Sequence, residues 1–215
     1  MTTGTDLEFT DPLPLEFYNR DPVVVARELL GKMLVRRTRQ GLCAGRIVES
    51  EAYLAQNDPG CHAYGGRRTN RNATMFGQPG RAYVYLCHGK ALICAVIEPE
   101  DTASVVLIRA IEPITGIELM AERRGNVPTC DLTRGPGKLC QALAIGLQHD
   151  GHDITKGTGL WIADHPDSKG VAISKSPRIN VWATPDLELR FFITGNPYVS
   201  KSRGPFQTTF TGVIA

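Results

Sequence analysis

Apolar and polar residues alternate over several short stretches of this chain, and a period of two predicts β-strands. The predicted strands cover residues 32–37, 42–53, 81–86, 91–98, 105–111, 178–182 and 189–194. A helical spacing of apolar residues predicts helices from Asp21 to Gly31, from Ile114 to Arg124 and from Leu139 to Ile145. Turn signals separate neighbouring strands, so the pattern favours one α+β domain with a largely antiparallel, curved sheet flanked by helices.

Three segments show neither period. Residues 1–14 are polar and acidic, which predicts a flexible N-terminal arm before a single domain at residues 15–215. Residues 57–72 form a long irregular stretch, and such loops within a domain are typically functional or disordered. Residues 164–176 are polar and carry Gly, Ser and Lys, which predicts a mobile surface loop.

The predicted strand Gly45–Tyr53 carries two carboxylates and a phenol on one face. By alternation one side presents Ile47, Glu49, Glu51 and Tyr53, and the other presents Val48, Ser50 and Ala52. Carboxylates two residues apart on a strand lie roughly 6–7 Å apart. They raise one another's pKa, which prepares a general acid or base. The alternative is a surface strand whose glutamates pair with nearby arginines.

Net charge, the length of the apolar runs and the cysteine pattern argue against a highly basic, a membrane-spanning or a disulfide-rich secreted protein. The 215 residues carry a formal net charge of +2, so a nucleic-acid partner is indicated only where cations cluster. No apolar run is long enough for a membrane span, and the N-terminus lacks a signal-peptide pattern. The six cysteines form no CxxC pair and no disulfide-like framework. We therefore expect an intracellular protein that does not associate with membranes.

Aromatic residues suggest a site for a flat ring. Tyr83 and Tyr85 share one face of a predicted strand, and His88 follows near the tip of a hairpin. If that face meets Tyr53 and His62, the aromatic groups would clamp a planar ligand. The alternative is ordinary packing in the core.

Three positively charged features are candidates for contacts with anions. Arg109 lies within an apolar strand and needs a partner; Glu51 is available, but a purely structural carboxylate is the alternative. Residues 134–138 precede a helix, and their glycines and lysine suit an anion without matching P-loop spacing. A basic, amide-rich stretch in the long loop either contacts phosphates or is solvated. It comprises Arg67, Arg68, Asn70, Arg71 and Asn72.

A metal site is not predicted. His149, Asp150, His152 and Asp153 lie close together in a turn that contains glycine. Their spacing does not correspond to a regular ligand geometry.

Several of these segments occur in an order that is characteristic of one known family. They are Leu29–Gly31, Gly45–Tyr53, His62 with Gly65–Arg67, Arg71–Asn72, Met75–Phe76, Pro79–Gly80 with Tyr83–Tyr85, Leu107–Pro113, Gly135–Leu143, Pro177–Arg178, Arg190–Phe192 and Gly195–Ser200. The chain thus resembles the alkyladenine (3-methyladenine) DNA glycosylase family of the mixed α/β type. The likeness spans nearly the whole chain.

The resemblance implies a monofunctional base-excision repair enzyme. Such an enzyme flips a damaged purine, alkylated or deaminated, out of double-stranded DNA and hydrolyses its N-glycosidic bond, leaving an abasic site. It implies a monomer that needs no metal or cofactor, located in the cytoplasm and associated with the nucleoid if bacterial. A cationic alkylated purine is a good leaving group, and a π-rich pocket attracts it.

The resemblance also implies a role for individual residues. Glu51 is expected to be the general base that activates water, and Arg109 to help hold that water. The expected base pocket comprises Tyr53, His62, Tyr85, Ala95 and Val181, whose carbonyl completes the water site. The expected DNA contacts, on a protruding hairpin and elsewhere, are Arg67, Arg71, His88, Lys90 and Lys138.

Two positions depart from the family pattern. His88 stands at the hairpin tip where many members carry an intercalating Tyr. Ala95 stands where an Asn usually gates the pocket against the guanine amino group. We therefore expect a more open pocket that admits alkylated guanines or other bulky purine lesions.

Two other functions remain open from sequence. The altered tip and gate would also fit a catalytically silent protein that binds DNA lesions. The carboxylate pair alone would fit a carbohydrate-active hydrolase. The aromatic positions and the basic loop favour a flipped nucleotide over a sugar chain.

Overall fold

The protein is built on an antiparallel sheet whose longest strand touches three others. The computed structural model describes residues 11–125, 127–165, 168–201 and 208–214. The helices within these ranges are α1 (Leu15–Tyr18), α2 (Pro22–Glu28), α3 (Ile117–Arg124) and α4 (Pro136–Ala142). The strands are β1 (Met33–Thr38), β2 (Gly41–Tyr53), β3 (Ala82–Cys87), β4 (Lys90–Ile97), β5 (Ser104–Thr115), β6 (Leu160–Ala163), β7 (Ala172–Ser176), β8 (Arg190–Ile193) and β9 (Thr209–Val213). Short 3-10 turns occur at Tyr64–Gly66, Ala73–Phe76, Thr129–Asp131 and Leu147–His149.

Strand β2 is the centre of the sheet. It pairs with β5 along nearly its whole length, with β1 over residues 41–46, and with β8 over residues 49–51. Through these pairings the strands follow the order β3-β4-β5-β2-β8-β7-β9, with β1 and β6 branching from β2. All these pairs are antiparallel. The predicted α+β fold with a largely antiparallel sheet is confirmed.

Two β-bulges, one on β2 and one on β5, offset each other in the pairing of these strands beside the two glutamates. Ile47 pairs with Ile111 and Glu49 with Ala110, so Val48 is an extra residue on β2. Ser50 then pairs with Ile108, so Arg109 is the extra residue on β5. A bulge reverses the face on which later side chains lie.

The bulge corrects one prediction. Ile47 packs in the same core cluster as Ala52 and does not share a face with Glu49 and Glu51. Simple alternation fails here because the extra residue Val48 shifts the parity of the strand. The two glutamates and Tyr53 do share a face, since they follow the bulge.

Both faces of the sheet are covered. Along β4, Ile93 and Ala95 belong to the cluster under the helices, whereas Leu92 and Cys94 belong to a second cluster on the opposite face. Residues between β2 and β3 cover that second face, namely Ala55, Cys61, Ala63, Met75 and Phe76. The long loop is therefore an ordered cover over one side of the sheet.

Helix α2 begins where the sequence predicts. Oδ1 of Asp21 accepts the N–H groups of Val23 and Val24 at 2.9 Å, and Pro22 occupies the first turn. Such a cap contributes about 1 kcal/mol. The helix packs on β2, where the Ser50 hydroxyl donates to the Ala26 carbonyl at 2.6 Å.

Several predicted boundaries are wrong. β5 continues to Thr115, and the helix predicted from Ile114 begins at Ile117. Between them Gly116 has φ +73°, and a Cβ there would lie 2.3 Å from the Leu42 carbonyl oxygen, so glycine is required. Residues 178–182 form turns rather than a strand, and the predicted loop 164–176 contains β7. β6 and β9 were not predicted, because such short strands depend on pairing with neighbours.

The end of the predicted N-terminal arm, at Pro12 and Leu13, pairs with strand β6. Pro12 bridges to Ala163, and the N–H of Leu13, which is buried, donates to the Ile162 carbonyl at 2.8 Å. Residues 1–10 of that arm lie outside the described residues. Among the residues described, no helix is long and apolar enough to cross a membrane.

Candidate active site

A cavity of about 850 Å³ lies on the face of the sheet that carries Tyr53. Its walls are aromatic and apolar, with a single arginine among the lining residues. The lining includes Tyr53, His62, Tyr83, Tyr85, Leu92, Cys94, Val105, Leu107, Arg109, Ile179, Val181 and Trp182. A cavity with apolar walls and few converging polar groups is typical of a site for a small planar ligand.

The Glu51 carboxylate lies directly behind this wall and is fully buried. Its Oε2 accepts the Tyr53 hydroxyl at 2.9 Å and Nη1 of Arg109 at 3.2 Å. Its Oε1 accepts the backbone N–H of Ile179 at 2.8 Å. All three donors line the cavity. Since a carboxylate oxygen has two acceptor positions, Oε1 retains one beyond the Ile179 bond for a further donor such as water.

Glu49 is also fully buried, and it holds Arg109 from the other side. Its Oε1 accepts Nε of Arg109 at 2.8 Å and Nε of Arg190 at 2.7 Å. The hydroxyl and backbone N–H of Ser200 each donate to the same carboxylate at 2.7 Å. Burial opposes ionisation of Glu49, but the two arginines and Ser200 outweigh it and lower its pKa.

The expectation that the two carboxylates raise each other's pKa is therefore wrong for Glu49. Arg109 lies between them and compensates both charges. Burial favours a neutral guanidinium, yet Glu51 and Glu49 together raise the pKa of Arg109 above its ordinary value. The arginine is thus a fixed cation at the edge of the cavity.

Aromatic rings from two elements meet in the cavity wall. Tyr83 and Tyr85 stack with ring centroids 5.0 Å apart, and His62 meets the Tyr85 ring edge-on at 4.8 Å. Nδ1 of His62 lies 3.0 Å from the Tyr83 hydroxyl. Burial and the neighbouring Arg71 lower the pKa of His62 below its ordinary value, so the imidazole is neutral at neutral pH.

A buried ion pair supports the Tyr53 side of the cavity. Arg178 makes two 2.6 Å bonds to the carboxylate of Asp58, and both side chains are fully buried. The same guanidinium donates to the Ala52 carbonyl at 2.9 Å and lies over the Tyr53 ring at 4.4 Å. Asp58, Arg190 and Ser200 were not singled out from sequence. The one available signal was a cation flanked by apolar residues, as at Arg190.

The predicted cations are distributed around the cavity. Arg71 lies over the Tyr85 ring at 5.3 Å, and Lys90 and His88 line the cavity itself. Arg67 lines an adjoining cavity of about 370 Å³ that Arg71 shares. Lys138 does not line either cavity and donates to Asp131 at 3.2 Å.

Strands β3 and β4 are joined by a two-residue turn, while the protrusion and the DNA contacts expected of this hairpin stay predictions. β3 and β4 pair in register and are joined by His88 and Gly89, whose φ values are +48° and +74°. Positive φ at both positions is characteristic of a tight two-residue hairpin turn. Residues 136 and 137, at the start of α4, line the cavity beside Lys90.

Two predicted site residues have a different position. Ala95 is fully buried in the cluster under the helices, so the prediction that it lines the pocket is wrong. Alternation along β4 turns Leu92 and Cys94 toward the cavity and Ala95 away from it. Asn72 is buried and bridges the backbone of the loop, accepting from Thr69 and donating to the His62 and Arg67 carbonyls. Val181 lines the cavity, and the role of its carbonyl in the water site stays a prediction.

The His/Asp cluster after α4 has structural roles. His152 lies within 3.0 Å of the Thr158 and Leu160 carbonyls, and His149 hydrogen-bonds Gly146. Asp150 accepts from Thr74 and from the backbone N–H of Val84. Within the described ranges no group of three or more metal-binding side chains occurs.

The chain is similar to known proteins over most of its length. Residues 16–197 match the family model described as Methylpurine-DNA glycosylase (MPG). Two bacterial relatives carry the provisional name 3-methyladenine DNA glycosylase. The protein from Prosthecochloris aestuarii is 45% identical over 192 residues, covering 87% of this chain and 90% of the relative. The protein from Carboxydothermus hydrogenoformans is 45% identical over 190 residues, covering 88% and 98%.

Proposed function

The chain belongs to the methylpurine-DNA glycosylase family, and from this we propose that it flips damaged purines out of duplex DNA and hydrolyses their N-glycosidic bonds. Its enzyme class is that of a 3-methyladenine DNA glycosylase in base-excision repair. The proposal extends this class to alkylated and deaminated purines, with Glu51 as general base. One observation carries it: a buried carboxylate held by three donors that line an aromatic cavity.

The cavity suits a cationic purine. An alkylated purine carries positive charge, and the faces of aromatic rings attract cations. The rings of Tyr53, Tyr85 and His62 supply such surfaces, and the lowered pKa of His62 keeps that ring from carrying a competing charge. Discrimination in favour of the damaged base follows from this attraction.

The hydrolysis requires a base beside the sugar. The bond between C1′ and the purine nitrogen breaks, and the purine leaves with the electron pair. A water oxygen forms the new bond to C1′ and gives its proton to Glu51. The negative charge of Glu51 also stabilises the oxocarbenium-like sugar. Arg109 and the Ile179 N–H hold the carboxylate in place, and the Val181 carbonyl, at the same wall, is available to orient the water.

DNA contacts are assigned to the cations around the cavity. Arg67, Arg71 and Lys90 are available to bind DNA phosphates beside the cavity, and Lys138 is available to bind DNA at the start of α4. His88, exposed at the tip of the β3–β4 turn, takes the role of the side chain that fills the gap left by the flipped base. We propose that the protein acts as a monomer, as its resemblance to the family implies.

The test is a duplex with one lesion, assayed for abasic sites. We expect release of 3-methyladenine and 7-methylguanine, with slower release of hypoxanthine because that base is neutral. Tight binding of the lesion without release of base would support a catalytically silent binder instead. Release of undamaged adenine at the same rate would contradict selection by the aromatic cavity.

A further inference from the structure

Trp182 has the most exposed large apolar side chain in the described part of the chain, with 81% of its surface accessible. It also lines the cavity that holds Tyr53 and Arg109. An exposed tryptophan on a protein surface is uncommon, and one at the mouth of a site suggests a binding contact. The proposed chemistry does not use it.

The loop that carries Trp182 is fixed at both ends. Nη2 of Arg178 donates to the Thr184 hydroxyl at 2.7 Å, which closes the segment around Trp182. The backbone N–H of Ile179 is bonded to Glu51. The backbone that carries the indole is therefore held on both sides by hydrogen bonds, one of them to the site itself, which lowers the cost of ordering this segment when it binds.

We propose that Trp182 stacks on the face of a DNA base that becomes unstacked when the lesion nucleotide flips. The inference rests on the proposed function and names a residue that contributes to recognition of the lesion site. Flipping exposes the faces of neighbouring bases, and aromatic side chains stack on them whatever the sequence, because every base has a π-face. Lys90 at the same cavity and Arg71 beside it supply charge for the adjacent phosphates.

Indole fluorescence gives a direct readout. The chain has two tryptophans, and Trp161 is only 2% exposed. Titration of Glu51→Gln protein with uncleaved lesion duplex should quench the Trp182 emission, with less quenching by undamaged duplex. Trp182→Phe in the same background should remove the quenching. Quenching that persists in that variant would overturn the assignment.

Affinity provides the second readout. In the Glu51→Gln background, Trp182→Ala should weaken binding of the lesion duplex about tenfold, which corresponds to about 1.4 kcal/mol. Trp182→Phe should recover much of this loss. In wild-type protein, Trp182→Ala should raise the enzyme concentration for half-maximal single-turnover rate more than it lowers the maximal rate.

Phe210 is the matched control, since it is an aromatic residue 62% exposed on β9 and does not line the cavity. Phe210→Ala should leave affinity unchanged. Equal effects of the two alanine substitutions, or unchanged affinity in Trp182→Ala, would overturn the inference. The proposed function fails separately, if the wild-type protein releases no base from a lesion duplex.

Discussion

Glu49 accepts a 2.8 Å hydrogen bond from Nε of Arg109, and both side chains are buried. The other arm of the same guanidinium donates to Glu51 at 3.2 Å. Glu49 thus fixes the arginine from behind and orients the group that holds the proposed general base. We infer that Glu49 is a positioning residue, whereas Glu51 acts on the reacting atoms.

Glu49→Gln should destabilise the protein strongly. The substitution leaves Arg109 and Arg190 in a buried site with less compensating charge, and breaking a buried ion pair costs about 3–5 kcal/mol. Urea denaturation measures the change in the free energy of unfolding. The matched control is Glu112→Gln, whose carboxylate pairs with Arg46 where both are about a quarter exposed. That pair should contribute less than about 1 kcal/mol, and equal losses in the two variants would contradict the account.

The same carboxylate should make stability depend on pH. The pKa of Glu49 in the folded protein is below the ordinary value of 4.5, which applies to the unfolded chain. At a pH between these two pKa values, Glu49 binds a proton in the unfolded chain but not in the folded protein. The stabilisation is fully present above pH 4.5 and is lost as the pH falls through the folded pKa. Urea midpoints measured at decreasing pH should fall less steeply in Glu49→Gln than in wild type, and parallel slopes would argue against Glu49 as the titrating group.

Ala95 and Cys94 form a matched pair for testing the pocket. Ala95→Asn puts an amide in the core, where an unsatisfied polar group costs about 1–3 kcal/mol, and should not alter the preference among lesions. Cys94→Asn puts the same amide on the face toward the cavity and should shift that preference. Relative excision of 3-methyladenine and 7-methylguanine measures the outcome. If Ala95→Asn changed the preference among lesions and Cys94→Asn did not, residue 95 would line the pocket as the family pattern implies.

His62 should limit activity at acid pH. Its pKa is below 6.5, so at lower pH protonation places a cation beside a cationic purine and weakens its binding. Single-turnover excision of 7-methylguanine by wild type should therefore decline with acidification below pH 6.5. His62→Gln, which cannot be protonated in this range, should show a shallower decline although its rate is lower throughout. Identical pH profiles would exclude His62 as the group responsible.

The sequence predicts those parts of the molecule whose pattern is local. The start of α2 at Asp21, the strand character of β3 and β4, and a hairpin tip near His88 depend on neighbours in the chain. The carboxylate strand is recognisable for the same reason. The paired bulges that place Arg109 between the glutamates are not predictable, because they depend on two strands 60 residues apart.

The parts that were missed depend on long-range pairing. Ser200 binds Glu49, and Arg178 binds Asp58, across 151 and 120 residues of chain. Nothing in the local sequence around Asp58 distinguishes it from a loop aspartate. The family pattern places Ala95 in the pocket, whereas the alternation of β4 places its side chain on the other face of the sheet.

The central claim is that Glu51 is the general base. Glu51→Gln should keep the size of the side chain and, with the amide oxygen in the Oε1 position, the bond from the Ile179 N–H, while removing the negative charge and the basic oxygen. The amide nitrogen can then donate to the Tyr53 hydroxyl, which donates to Glu51 in the wild type. Loss of a general base lowers the rate by about 100- to 10,000-fold. The decisive measurement is single-turnover release of 3-methyladenine from a lesion duplex by Glu51→Gln, with Glu112→Gln as the control and lesion affinity measured in parallel. The account predicts a rate at least about 100-fold below wild type with lesion binding retained; excision by Glu51→Gln at a rate near that of Glu112→Gln would contradict it.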